Sequence, residues 1–235
     1  MHISSLMFRQ LVLTYFLSYP FVWADWDNYS KNLFEGDIIP EYNSLSNAYG
    51  AEFAGNMVKK GIIQGPKANL LRATVPNPGA MWTDFIFDDY KIVDVFINSD
   101  GDYTLSQVGL IRNSLRELSK KTAAVKFRFH VSLPSDGRPF LNIGHHSENI
   151  CASYVGRTPM ANQANGQELY LANGCLTTRT IQHEMLHALG FWHEQNRPDR
   201  DDFIDIKEEN IMAGLEVNFV KRLDVDSLES PYDYQ

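Results

Sequence analysis

The chain has 235 residues, 44% hydrophobic, 12% aromatic and 21% charged, enough for the packed core of one large domain or two small ones and too apolar for disorder throughout. Its 21 basic and 29 acidic residues give a net charge of −8, which argues against a broad nucleic-acid or anionic-membrane surface. Two cysteines are too few for a disulfide-dense miniature fold or a Cys-based zinc module.

Arg9 precedes an apolar run of 13 residues, 11–23, and Val22 and Ala24 set small residues at −3 and −1 of a cut after Ala24. This is the pattern of a secretory signal peptide over residues 1–24; a buried N-terminal helix is the alternative. The run is shorter than the roughly 20 apolar residues of a membrane span. No membrane span is expected, and the destination is secreted, extracellular and oxidising. Asn28-Tyr29-Ser30 is a glycosylation sequon. Residues 25–72 are polar and rich in Gly and Asn, the texture of a linker or pro-segment, with loops at 43–50 and 61–67 around a short helix at 51–60.

Beyond Arg72 the texture changes. Residues 90–97 hold Ile92, Val93, Val95, Phe96 and Ile97 and end in Asn98-Ser99-Asp100-Gly101, a strand followed by a turn. Thr104 and Gln107 form a capping box for a helix whose Val108, Ile111, Leu115 and Leu118 recur every three or four residues. Val125, Phe127, Phe129 and Val131 alternate with Lys126, Arg128 and His130, a half-buried strand. Further short strands are expected at 140–143, 152–155 and 168–171. Strands and helices mix without regular βαβ repetition, so the fold class is α+β. His145 and His146 beside Glu148 read as a solvated loop pair, because rings at i and i+1 point apart.

The informative segment is His183-Glu184-Met185-Leu186-His187-Ala188-Leu189-Gly190-Phe191-Trp192-His193. Thr180 is placed to cap a helix carrying Ile181, Met185, Ala188 and Leu189. His183 and His187, four apart, project from one helix face and grip one cation. Gly190 permits a positive φ where the helix ends, so the redirected chain brings in His193. Three neutral imidazoles favour one Zn2+ ion and leave a position open for water. Glu184, beside the first ligand, is suited to act as general base.

These eleven residues match the metzincin pattern, and the continuation Glu194-Gln195-Asn196-Arg197-Pro198-Asp199-Arg200 resembles the astacin family of secreted zinc metalloendopeptidases. Asp202-Phe203-Ile204-Asp205-Ile206, Cys151-Ala152-Ser153-Tyr154-Val155-Gly156-Arg157 and Phe34-Glu35-Gly36-Asp37 also resemble segments of that family. The resemblance implies a metzincin-like catalytic domain over 73–235, with an N-terminal twisted mixed sheet and a zinc-binding active-site helix. His183, His187 and His193 would be the metal ligands and Glu184 the base. Asp37 would be the zymogen switch, its carboxylate occupying the metal until the pro-segment is removed. Glu194 would meet the new N-terminus. The 152–155 strand, through Ala152, Ser153 and Tyr154, would pair with extended substrate. Protein or peptide substrates and an activating protease are the implied partners, with no nucleic acid.

Cys151 and Cys175 match one of the family's two disulfides, and Ala124 stands near the place of a cysteine of the other. Met81-Trp82-Thr83 stands where the family has Trp followed by Pro, and the activation cut is placed near Arg72. The chain stops at Gln235, where the family continues into its Met-containing turn, so the C-terminal subdomain is expected to be mostly absent. The leading expectation is a secreted zinc endopeptidase made as a zymogen; the alternative is a truncated, non-catalytic secreted zinc-binding protein derived from such a protease.

Overall fold

The computed structural model describes residues 81–82, 86–87, 90–98, 103–122, 124–146, 148–222 and 232. The signal peptide, the pro-segment with Asp37, and the turn residues 99–101 lie outside the described residues. By compactness the chain divides between Phe191 and Trp192.

The first unit is built on a six-stranded mixed sheet: β1 (Ile86–Phe87), β2 (Tyr90–Ile97), β3 (Val125–His130), β4 (Phe140–Gly144), β5 (Cys151–Ser153) and β6 (Gln167–Leu171). The strand order is β1-β2-β4-β6-β5, with β3 also paired to β2. β2, β3, β4 and β6 run parallel, whereas β1 and β5 are antiparallel to their neighbours. Parallel β2 and β3 need a crossover, and helix α1 (Leu105–Thr122) supplies it. The second helix, α2 (Thr178–Ala188), packs on α1 and on β5 and β6.

The predicted elements appear with small shifts. The capping box is formed: the Thr104 N–H donates to Gln107 Oε1 at 2.8 Å and the Gln107 N–H to Thr104 Oγ1 at 3.3 Å. Ile111, Leu115 and Leu118 are buried, as their spacing requires, against a core with Val93, Val95, Leu141, Ile143, Leu169 and Leu171. The strand expected over 152–155 starts at Cys151 and stops at Ser153, so Tyr154 lies beyond it. Two bonds tie the helices together: Gln182 Nε2, buried, donates to the Ser114 carbonyl at 2.7 Å, and Ser114 Oγ to Thr178 Oγ1 at 3.2 Å. Gly166 adopts φ +69°, and a Cβ there would stand 2.5 Å from the buried Phe140 ring, so only glycine fits.

A buried charge within the sheet is not apparent from the alternation of β3. Asp94 of β2 is 1% exposed, and in the parallel register it lies opposite Arg128 of β3. Arg128 donates to both its oxygens, at 2.5 and 2.7 Å, and the His130 Nε2 also meets Oδ1. Burial pushes the Asp94 carboxyl pKa up, but the bonds and charges of Arg128 and His130 outweigh it and hold the value below normal.

The second unit, from Trp192 on, is described as short 3-10 turns at Glu194–Asn196, Arg200–Asp202, Glu208–Asn210 and Glu216–Phe219. Among the described residues, buried polar side chains hold them together. Asn196 Nδ2 donates to the carbonyls of Asn218 and Val220 at 3.1 and 3.0 Å. The Arg200 guanidinium donates to the carbonyls of Gln195, at 2.8 Å, and Phe219. Among the described residues no helix is long and apolar enough to cross a membrane.

Candidate metal centre

Helix α2 starts one cap earlier than its pattern suggests. Thr177, extended at φ −119° and ψ 149°, accepts from the Thr180 N–H at 3.2 Å, so Thr177 is the N-cap and Thr180 lies in the first turn. Either threonine has the chemistry; only the backbone conformation decides between them.

The other end of α2 builds the site. Gly190 takes φ +106°; its N–H donates to the His187 carbonyl at 2.8 Å, and the Phe191 N–H to the Leu186 carbonyl at 3.1 Å. That pair of bonds is a Schellman motif. The carbonyls left over at the end of the helix are also satisfied: His187 O accepts a second bond, from the Gly156 N–H at 2.8 Å, and Ala188 O accepts from Trp82 Nε1 at 2.8 Å. Gly156 is itself fixed by Gln167, fully buried on β6, whose Nε2 donates to the Gly156 carbonyl at 2.9 Å and whose Oε1 accepts from the Thr158 N–H at 2.7 Å.

The same turn sets the protonation of His187. Its Nδ1 faces the Phe191 carbonyl at 2.7 Å, and a carbonyl only accepts, so Nδ1 carries the proton and the Nε2 lone pair is exposed to the site. The His187 Nε2 lies 3.1 Å from the His183 Nε2, with the rings perpendicular at 87° and 4.6 Å apart. Ligands bound at about 2.0–2.1 Å around tetrahedral zinc stand roughly 3.3 Å apart, so the spacing fits two nitrogens on one ion. One nitrogen from each of His183, His187 and His193 lies within 4.8 Å of the others. Among the described residues this is the one group of three or more His, Cys, Asp or Glu placed to hold a metal. All three belong to a single eleven-residue stretch. Glu184, next to His183 on α2, is 1% exposed.

The other expected residues fall as follows. Cys151 and Cys175 form a disulfide, Cα–Cα 6.0 Å, joining β5 to the chain just before α2. Ala152 and Ser153 have buried side chains on β5, an outer strand of the sheet. Glu194 is buried and pairs with Arg197 at 2.6 Å; Arg197 in turn donates to Asp199 at 2.9 and 2.8 Å. His145 and His146 do diverge, as expected of neighbours. They are half-buried rather than solvated, each edge-on to a tyrosine: Tyr103 at 4.6 Å and Tyr170 at 4.8 Å. Trp82 and Gly156 reach the end of α2 from distant parts of the sequence, and Gln167 holds Gly156 across eleven residues, contacts that no local pattern shows.

The family model for the astacin peptidases matches residues 88–235. Zinc metalloproteinase nas-4 of Caenorhabditis elegans is 39% identical over 145 residues, which is 58% of this chain and 43% of that protein. A bone morphogenetic protein 1 homolog of Strongylocentrotus purpuratus is 31% identical over 184 residues, 77% of this chain and 26% of that protein. High choriolytic enzyme 1, a hatching enzyme zinc-protease from Oryzias latipes (Medaka fish), is structurally similar with a TM-score of 0.56 and 29% identity, covering 69% of this chain and 74% of that one. The chain spans less than half the length of these two curated relatives.

Proposed function

The chain belongs to the astacin family of metallopeptidases, and from that premise we propose that it is a secreted endopeptidase that cleaves protein or peptide chains with the help of one zinc ion. The observation that carries the reading is the convergence of His183, His187 and His193 within 4.8 Å, with the tautomer of His187 already set by Phe191. Zinc held by three neutral imidazoles supplies a Lewis acid that acidifies water and polarises a carbonyl oxygen. Glu184 takes a proton from the attacking water as its oxygen bonds to the carbonyl carbon. As the C–N bond breaks, Glu184 returns that proton to the departing amine. An extended substrate is proposed to lie along β5 at Ala152 and Ser153 and on past its end at Tyr154, adding its backbone to an outer strand.

Latency is part of the same proposal. Residues 1–24 are read as a signal peptide, residues 25–72 as a pro-segment removed by an activating protease, and Asp37 as the group that blocks the metal until then. Supporting this are the Phe34-Glu35-Gly36-Asp37 pattern and the apolar leader.

The test uses the processed full chain and a quenched-fluorescent peptide library. A strong chelator should abolish cleavage and added zinc restore it. Glu184→Gln should keep one zinc per chain by elemental analysis yet lose about 10²–10⁴ in kcat/KM, the usual contribution of a positioned base. Undiminished turnover in that variant would remove Glu184 from its role.

A further inference from the structure

The net charge of −8 hides an opposite local balance. Residues 105–130 carry six basic side chains against one acidic. Arg112, Arg116 and Lys120 lie at i, i+4 and i+8 of α1, a row with about 6 Å between successive turns. Lys121, one position on, is compensated by Glu117 at 2.7 Å, and Arg128 by Asp94. Among the described residues no carboxylate pairs with Arg112, Arg116 or Lys120.

The row is also held in place. The Arg112 and Arg116 guanidinium groups both stand over the Phe129 ring of β3, at 5.5 and 5.6 Å from its centre, and Arg116 is further fixed by donating to Asn113 Oδ1 at 3.1 Å. The Arg112 Nε is buried with no hydrogen-bond partner. Like charges four apart on a helix oppose folding by a few tenths of a kcal/mol per pair, and here two successive pairs stand uncompensated.

We propose that this face of α1 docks a sulfated polysaccharide. A linear polyanion with regularly spaced sulfates needs a row of fixed cations and no apolar pocket, and the Phe129 ring beside the row is already covered by the two arginines. The choice of an extracellular polyanion over a nucleic acid rests on the secreted destination proposed above. The surface is separate from the three histidines, so the proposal stands or falls apart from the peptidase reading.

The experiment uses the full chain carrying Glu184→Gln and a size-defined heparin decasaccharide, with its fully desulfated counterpart, by titration calorimetry over a range of salt. The sulfated form should bind at least tenfold tighter than the desulfated one, with affinity falling steeply with salt. Arg116→Gln/Lys120→Gln, both exposed positions, should lose at least fivefold in affinity and show a shallower salt dependence. The charge-matched control Lys207→Gln/Lys221→Gln should stay within twofold. Absence of binding, equal losses in the two double variants, or sulfate-independent binding would overturn the proposal. So would tighter binding to phosphatidylserine vesicles that depends on Val131 and Leu133, the exposed apolar residues just after β3. Peptide hydrolysis by the active chain should be unchanged in both double variants.

Discussion

The Phe191 carbonyl oxygen stands 2.7 Å from Nδ1 of His187, so the turn that terminates α2 also fixes which nitrogen of its second histidine is free to bind. Helix ending and ligand orientation are one piece of geometry, hinged on Gly190 at φ +106°. A Cβ at Gly190 would meet nothing closer than Gly156 Cα at 3.9 Å, so the cost of a side chain there is conformational rather than steric. Gly190→Ala should lower stability by about 1–3 kcal/mol. By disturbing the Phe191 carbonyl it should also weaken zinc binding by about 10–100-fold, measured by competition with a coloured chelator. Unchanged affinity would show that the tautomer does not depend on this turn.

Asp94 gives a stability prediction with a definite sign in pH. Its folded pKa lies below the usual 3.8, so the ionised form is favoured in the folded state. That contribution is fully present above the unfolded value and disappears as pH falls through the folded one. Asp94→Asn should cost about 2–4 kcal/mol at neutral pH, since it leaves Arg128 and His130 without their charge partner. In urea unfolding, the gap to the parent chain should be level between about pH 8 and 5 and shrink below about pH 4. A gap that widens on acidification would reverse the assignment.

The Cys151–Cys175 bridge closes a loop with a sequence separation of 24. Replacing both cysteines by serine should remove about 3–4 kcal/mol by loop entropy and lower the melting temperature by roughly 10 °C. Because the bridge anchors β5 beside the start of α2, KM for long peptides should rise more than kcat falls, which steady-state kinetics on peptides of graded length would reveal.

Asp37→Ala in the unprocessed chain should give peptidase activity without prior proteolysis, read as cleavage of a fluorogenic peptide by freshly secreted material. An equally latent precursor would reject Asp37 as the switch while leaving the roles of the three histidines and Glu184 untouched.

The metal centre could be read from the chain because its donors are local: His183 and His187 share a helix face, and Gly190 is the residue that ends a helix with positive φ. The α1 helix and β2 were equally open to view, since capping box and periodicity agree there with the burial. What lies between distant segments was not. The Asp94–Arg128–His130 cluster depends on the parallel register of strands whose paired residues are 34 apart in sequence, which alternation alone does not set. Trp82 reaches Ala188 across 106 residues, and the choice between Thr177 and Thr180 as cap rests on backbone angles. The cation row on α1 has a simple periodic signature, but the overall charge is dominated by residues 194–235, with twelve acidic side chains against five basic.

The Trp82 and Gly156 bonds to the last carbonyls of α2 have a consequence for how the centre is assembled. A short peptide spanning residues 177–193 contains every nitrogen needed to grip an ion and none of these two clamps. Such a peptide must use binding energy to stiffen its own backbone, whereas the folded chain meets the ion with the helix end already held. Coordination is thus encoded over a few turns, and its rigidity comes from segments whose order arrives only with the completed sheet.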